Sequence, residues 1–450
     1  MVKKVSSLDD VAVSKKNKTS LFDLAKKVDS SVEIISESVM SKIDDWIPTG
    51  SYILNACISG SLFGGIPSGR ITTLASGAGV GKTYLACSVC REAQKKGYDV
   101  VYLDSENSID ETFITRLGCK PDNFIIKQVS TVNEVTTFIL NLCKSYLEAK
   151  QSGEELNPFI IVLDSLGQCA SQKELADAVE SKHVQDFTRT KEIKKLFRLV
   201  TIEIAKCHAP FIVINHVYTN AGSFIPTSQM SGGSGIEYAG TVTLMMTGKK
   251  LEDKENSKNA EKGVNSSAIK KVGTKVSCYP IKTRLAIPRT VEFQIPFFKP
   301  PVPTVGLEDY LNWDNAGIMV GKCYKEEEYL KLKPNEQTEC IPFEYTDKNT
   351  GEVSMRYAQP KKTMVRGVGI VCKHLGRAVD PTTEFWTPTV FTDEFLHYLD
   401  DNIIKPAFEL PSRDSFDDIN EMVKELGGSD DEDDKTTKSQ SDVISTDIKK

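Results

Sequence analysis

Residues 71–93 constrain this chain more than any other stretch. An apolar run from Ile71 to Leu74 leads into Ala75-Ser76-Gly77-Ala78-Gly79-Val80-Gly81-Lys82-Thr83. A helical pattern follows, with Leu85, Ala86, Val89, Cys90 and Ala93 on one face. Strand, glycine-rich turn and helix in that order is the layout of a phosphate-binding loop. Glycines let consecutive N–H groups close around phosphates, the helix N-terminus adds partial positive charge, Lys82 reaches the β- and γ-phosphates, and Thr83 holds Mg²⁺. The nucleotide-binding set is therefore Ser76, Gly77, Ala78, Gly79, Val80, Gly81, Lys82 and Thr83, with a nucleoside triphosphate as ligand. One position departs from the pattern: Ser76 stands where the first glycine is expected, with Gly77 just after it. A glycine-rich turn before a surface helix would share the composition but not the strand that precedes it.

The 450 residues suffice for two or three domains, and 40% hydrophobic with 26% charged residues is ordinary for a globular protein. Neither a membrane-length apolar run nor a signal peptide is visible, and eleven scattered cysteines fit reduced thiols in a cytoplasm. Cys87 and Cys90 have redox spacing, yet they fall on the apolar helix face, where packing is the expected role. The net charge of −6 hides an uneven distribution: Asp430-Asp431-Glu432-Asp433-Asp434 sits in the last stretch and basic clusters in the middle. The acidic end either shields those clusters or is a solvated tail.

Short apolar runs alternate with amphipathic patterns from about residue 50 to 298, which predicts an α/β sheet. The strands are placed at 71–75, 100–104, 159–164, 211–215, 241–247, 276–280 and 291–296. A capping box, Thr131-Val132-Asn133-Glu134, starts a helix with Val135, Phe138, Ile139, Leu142 and Tyr146 on one face. Residues 21–45 read as helical, and 249–270 as a hairpin tip or disordered excursion. Lys299-Pro300-Pro301-Val302-Pro303 is a stiff linker. The expected organisation is a helical N-terminal arm (1–49), a core (50–299), a smaller C-terminal α+β domain (300–426) and an acidic tail (427–450).

Three strand ends carry the chemistry. Phe159 to Asp164 is a continuous apolar strand whose terminal acid emerges where ligands sit, so Asp164 is the second Mg²⁺ anchor. Val100 to Asp104 continues into Ser105-Glu106; Glu106 is placed as the group that activates water and Asp104 as an organiser of the loop. Phe211 to Ile214 ends in Asn215-His216, a polar pair able to sense a γ-phosphate. The Gly- and Ser-rich segment after it, with Phe224, Gly232 and Gly233, reads as a loop ordered by ligand. Lys182, Arg189, Lys191, Lys194, Lys195 and Arg198 are either a solvated face or a contact for a phosphate backbone. Cys323, Cys340, Cys372 and His374 lack the close pair spacing of common zinc sites.

Taken together these segments resemble the RecA-type recombinases, and among them the UvsX recombinases of T-even-like bacteriophages. Gly64-Gly65-Ile66-Pro67-Ser68-Gly69-Arg70, Leu103-Asp104-Ser105-Glu106, Val162-Leu163-Asp164-Ser165-Leu166-Gly167, Ser171-Gln172-Lys173-Glu174, Ile214-Asn215-His216 and Thr383-Glu384-Phe385-Trp386 occur in the family's order. The resemblance runs from about residue 50 to 300, with weaker echoes to about 410, and no match is recognised for residues 320–380. It implies a RecA-like P-loop ATPase core that forms a helical filament on single-stranded DNA and pairs it with homologous duplex in recombination and repair. It also implies that Phe113 lies near the adenine, and that Lys282 and Arg284 reach the neighbouring subunit's nucleotide. Residues 167–181 and the segment around Phe224, Gly232 and Gly233 would be the DNA-binding loops. A polymerisation helix in the arm, a single-strand-binding protein and a recombination mediator belong to the same expectation, as does a phage-infected host cytoplasm. A hexameric DNA helicase on the same core, or a catalytically silent DNA-binding paralogue, would share several of these motifs.

Overall fold

The computed structural model describes residues 20–410 apart from 37, 39, 180–187, 221–226, 232–233, 253–270, 298 and 366. Lys182, Phe224, Gly232, Gly233, most of the 249–270 excursion and the acidic tail lie outside the described residues.

Four apolar strands, β3 (Ile71–Ser76), β4 (Asp99–Asp104), β6 (Phe159–Asp164) and β7 (Phe211–Asn220), form the parallel centre of a nine-stranded sheet. The near-continuous apolar content of β4, β6 and the first half of β7 fits strands covered on both faces, and β3 is buried throughout although it carries two threonines. The order is β11 (Val291–Pro296), β10 (Lys271–Lys282), β9 (Val242–Glu252), β3, β7, β6, β4, β5 (Phe124–Gln128), with β8 (Thr227–Met230) beside β7. Strand β5 closes one side in parallel. On the other, β9 runs parallel to β3, then β10 and β11 follow antiparallel. A two-stranded ribbon, β1 (Trp46–Ile47) with β2 (Ile66–Pro67), lies outside this sheet.

One face of the sheet packs on α3 (Lys82–Lys95), which buries Leu85, Ala86, Val89, Cys90 and Ala93 as the pattern predicts. Cys87 and Cys90 are fully buried there, and burial pushes both thiols well above their ordinary range. The other face takes α5 (Val132–Gln151), with the expected capping box at Thr131 and Glu134, and α7 (Thr188–Lys206); the short helices α4 (Glu111–Arg116) and α6 (Gln172–Val179) precede and follow α5 in the chain. Ile193, Leu196, Phe197, Val200 and Ile204 of α7 are buried, each contributing about 1.5–3 kcal/mol. Lys191, Lys194, Lys195 and Arg198 face outward on the same helix.

Two expectations are corrected and two elements are added. The helix predicted over 21–45 is only α1 (Leu21–Val28): the Asp29 carboxylate accepts the Ser31 N–H at 2.8 Å, and this turn ends it. Lys249 to Glu252, read as part of the excursion, are strand, because β9 continues in register with β10. Strand β5 and helix α2 (Tyr52–Ser59) were missed. Helix α2 buries Ile53, Leu54, Ala56, Cys57 and Ile58, so it is apolar on too many sides to show a period.

Beyond the proline linker a five-stranded antiparallel sheet forms: β13 (Ile341–Thr346), β14 (Val353–Pro360), β12 (Ile318–Lys325), β15 (Gly369–Cys372), β16 (Arg377–Val379). The chain then returns to the first sheet: Phe385, Phe391, Phe395, Leu399, Ile404 and Phe408 share one apolar cluster with α2 and α3. Among the described residues no helix is long and apolar enough to cross a membrane, and no three His, Cys, Asp or Glu gather as metal ligands.

Asp400, 1% exposed, fixes that return by accepting the Leu62 N–H at 2.6 Å and the Ser61 hydroxyl at 2.8 Å. Asp400→Ala leaves both donors without their anion and is expected to cost about 2–3 kcal/mol in urea unfolding, with Asp400→Asn losing less. An unchanged midpoint in the alanine variant would remove this tether.

Candidate nucleotide site

Parallel register brings the predicted residues to one edge. Ser76 pairs with His216 and Asp104 with Asp164, so four strand ends stand level at the carboxyl side of the sheet. A cavity of about 370 Å³ opens there, lined in part by Ala78, Gly79, Gly81, Lys82, Thr83, Glu106, Phe113, Asp164 and His216. That size is in the range of small-ligand sites.

The loop turns through Gly79 at φ +71° and Gly81 at φ +117°, angles that favour glycine; a Cβ on Gly81 would stand 2.8 Å from Ile295 Cδ1. Ser76 needs no such freedom, because it ends β3 in extended backbone. Its hydroxyl donates to the Gly77 carbonyl at 2.8 Å and accepts from Lys82 Nζ at 3.2 Å. Lys82, 7% exposed, also donates to the carbonyls of Ser76 and Gly77 at 3.1 and 3.0 Å. Burial pulls its pKa below the ordinary lysine value, while Asp164 and Glu106 hold it up. An arriving phosphate can take over these donors.

Asp164 is 1% exposed, and its Oδ2 accepts from both the Thr83 hydroxyl and the Tyr102 hydroxyl at 2.7 Å. Burial raises its pKa above the ordinary 3.8, the two donors oppose that rise, and Glu106 with Asp104 adds to it. A buried carboxylate against a threonine hydroxyl is a hard-oxygen donor pair that fits Mg²⁺, which keeps few protein ligands and shares the rest with phosphate.

Asp104 is the loop organiser: its carboxylate accepts the N–H of Glu106 at 2.9 Å and of Ser108 at 3.1 Å, around Asn107 at φ +53°. This turn directs Glu106 to two partners, the Ser165 hydroxyl and His216 Nε2, the latter at 2.8 Å. Burial favours the neutral acid, yet the His216 and Ser165 hydrogen bonds and nearby Lys82 outweigh it, so the pKa falls below 4.5. Glu106 is thus ionised at neutral pH.

His216 and Asn215 also hold the next segment. Asn215 Nδ2 donates to the Ser231 carbonyl at 2.8 Å, and the Ser231 N–H donates to the His216 carbonyl at 2.9 Å. Arg189 reaches the same serine: its guanidinium donates to the carbonyls of Gly167, Cys169 and Leu166 at 2.7, 2.8 and 3.1 Å, and lies 3.4 Å from Ser231 Oγ. The structure therefore places Arg189 as a brace between the stems of the two expected DNA loops. Lys282 and Arg284 are not brought to this cavity. Lys282 pairs with Thr243, itself opposite Thr73, and Arg284 follows two residues past the end of β10. The rise from Thr73 to Gly77 and the two strand widths from β3 to β10 put the backbone of Lys282 about 15–20 Å from the loop, and neither residue lines the cavity.

Tyr102, Ser165, Tyr84, Phe297 and Lys250 belong to the site or its rim and were not picked out beforehand. Tyr102 read as one more apolar strand residue and Phe297 fell between the last predicted strand and the linker; alternation along β4 was the signal for Tyr102, since it shares the Asp104 face.

Tyr102→Phe removes one donor from a buried carboxylate and so raises the Asp164 pKa further. Stability at neutral pH is expected to fall by about 1–2 kcal/mol in urea unfolding. The loss should shrink as the pH falls through the raised Asp164 pKa, because a protonated Asp164 no longer needs the donor. An equal loss at neutral and acid pH would separate the hydroxyl from the carboxylate.

The chain is similar to known proteins over much of its length. The RecA N-terminal domain family matches residues 17–297. The recombination and repair protein of Enterobacteria phage T4 is 26% identical over 403 residues, 88% of each chain. The RecA protein of Thermus thermophilus is 26% identical over 279 residues, covering 62% of this chain and 72% of its own length. The RecA protein of the Wolbachia of Brugia malayi is 27% identical over 246 residues, or 54% and 63%. The chain belongs to the RecA family and is a RecA-type recombinase.

Proposed function

We propose that this protein is a DNA-dependent ATPase that assembles as a helical filament on single-stranded DNA and exchanges strands with a homologous duplex. One observation carries the reading. Glu106, His216, Asn215 and Ser231 form a continuous hydrogen-bonded path from the water-activating carboxylate to the stem of an expected DNA-binding loop. A nucleotide that changes the Glu106–His216 contact would change how Ser231 is held.

In this reading Lys82 leaves the carbonyls of Ser76 and Gly77 for the β- and γ-phosphates of ATP. Phe113 lies beside the base. Thr83 and Asp164 would hold Mg²⁺, which neutralises phosphate charge when bound. Ionised Glu106, aimed by His216 and Ser165, accepts a proton from the attacking water. Lys282 and Arg284, too far from their own loop, act on the nucleotide of an adjacent subunit and stabilise charge on the transferred phosphoryl. Exposed apolar residues support self-association: Leu21, Leu24 and Val28 on α1, and Ile125 and Ile126 on edge strand β5. The segments around 167–181 and 221–233 would contact the DNA backbone, Phe224, Gly232, Gly233 and Lys182 included, while base pairing reads the sequence. A single-strand-binding protein and a mediator are the further partners.

The test is strand exchange between circular single-stranded DNA and a homologous linear duplex with ATP. Joint molecules should form only with homology and vanish with Lys82→Ala. Glu106→Gln should keep DNA binding while phosphate release falls about 10²–10⁴-fold. Near-normal turnover in that variant would remove Glu106 as the base, and DNA-stimulated turnover without joint molecules would favour a helicase.

A further inference from the structure

The tip of the phosphate loop rests on the neighbouring β9–β10 hairpin at two points. Gly248 of β9 faces Val80, and a Cβ there would come within 3.1 Å of Val80 Cγ1 and 2.7 Å of Thr274 Cγ2. Two residues on, Lys250 Nζ donates to the Gly79 carbonyl at 2.6 Å and to Thr274 Oγ1 at 3.1 Å. The same ammonium lies 5.2 Å from the ring centroid of Phe297. Gly79 and Phe297 both line the nucleotide cavity. One lysine from outside the loop thus grips two of its walls.

We infer that Lys250 is a positioning residue of the nucleotide site, holding the loop tip so that its backbone donors are set for phosphate before the nucleotide arrives. The proposal rests on the nucleotide-site reading above. Its physical basis is the planarity of the peptide unit. The Gly79 carbonyl and the Val80 N–H belong to one trans peptide, so they point in opposite directions. With the carbonyl fixed toward the hairpin, the N–H is turned away from it. A cation on the carbonyl also polarises the peptide and strengthens its N–H as a donor. Without the grip, Gly79 and Gly81 leave the loop free to rotate this peptide, and binding must then supply the ordering. Lys250 itself touches no phosphate in this account; it acts through Gly79 and Phe297.

The experiment is titration of the full chain with a fluorescent ATP analogue and Mg²⁺, without DNA, so that a weakened DNA contact cannot enter. Lys250→Met should weaken binding about fivefold. Lys250→Arg, which keeps charge and reach, should restore it to within about twofold. In DNA-stimulated turnover the methionine variant should raise KM by a similar factor and leave kcat at saturating ATP nearly unchanged. A general loss of structure would lower kcat and shift the unfolding midpoint measured without nucleotide; Thr274→Val, which removes only the second tether, then serves as the milder variant and should weaken binding less. Unchanged affinity in Lys250→Met, with binding lost in Lys82→Ala, would overturn the role of Lys250 and leave the site intact. A wild-type chain that does not bind the analogue would overturn both.

Discussion

The register of four buried parallel strands is the constraint from which the site follows. Because Ser76 stands opposite His216 and Asp104 opposite Asp164, side chains far apart in sequence emerge on one line, and the loops after them need only short turns to converge. A slip of one residue in any pair would send its terminal acid or histidine to the other face. The apolar filling on both sides of the sheet makes that slip costly, since side chains moved to the opposite face meet a layer packed for other shapes, at about 1–3 kcal/mol for each overpacked position. Packing, not the polar residues themselves, sets the geometry of the chemistry.

The polar groups then lock what packing has aligned. Asp164 ties α3 to β4 and β6 through Thr83 and Tyr102, and Asp104 ties the turn that carries Glu106. Arg189 illustrates how a cation can be spent internally. Its guanidinium is committed to three carbonyls and lies near a hydroxyl, so its structural effect is to join residues 166–169 to Ser231. Among the described residues the outward lysines of α7 carry no such commitment, and they remain the stronger electrostatic surface.

Much of this was legible in the residues. The phosphate loop, the acid-terminated strands and the capped helix α5 each combine a local pattern with a chemical reason, and such segments are hard to misread. What escaped had no local signature. Helix α2 is apolar on too many sides to show a period, β5 is five residues long with its Ile125 and Ile126 exposed, and Tyr102 looks like core until its hydroxyl meets Asp164. The contact of Lys250 with Gly79 joins residues 171 positions apart, which no window along the chain can contain. The separation of Lys282 and Arg284 from the loop likewise appears only once β10 is seen to run antiparallel to β9.

That separation has a consequence for any assembly of this chain. If basic residues from the next subunit complete the site, as proposed above, the repeating unit of activity is a junction rather than a molecule. A linear array of n subunits then holds n − 1 complete sites, and one terminal subunit carries nucleotide that nothing finishes. Short arrays would be intrinsically slow and long ones would approach a constant rate per subunit. The two ends would differ chemically although every chain is the same, giving the array a built-in direction for loss and renewal of its members.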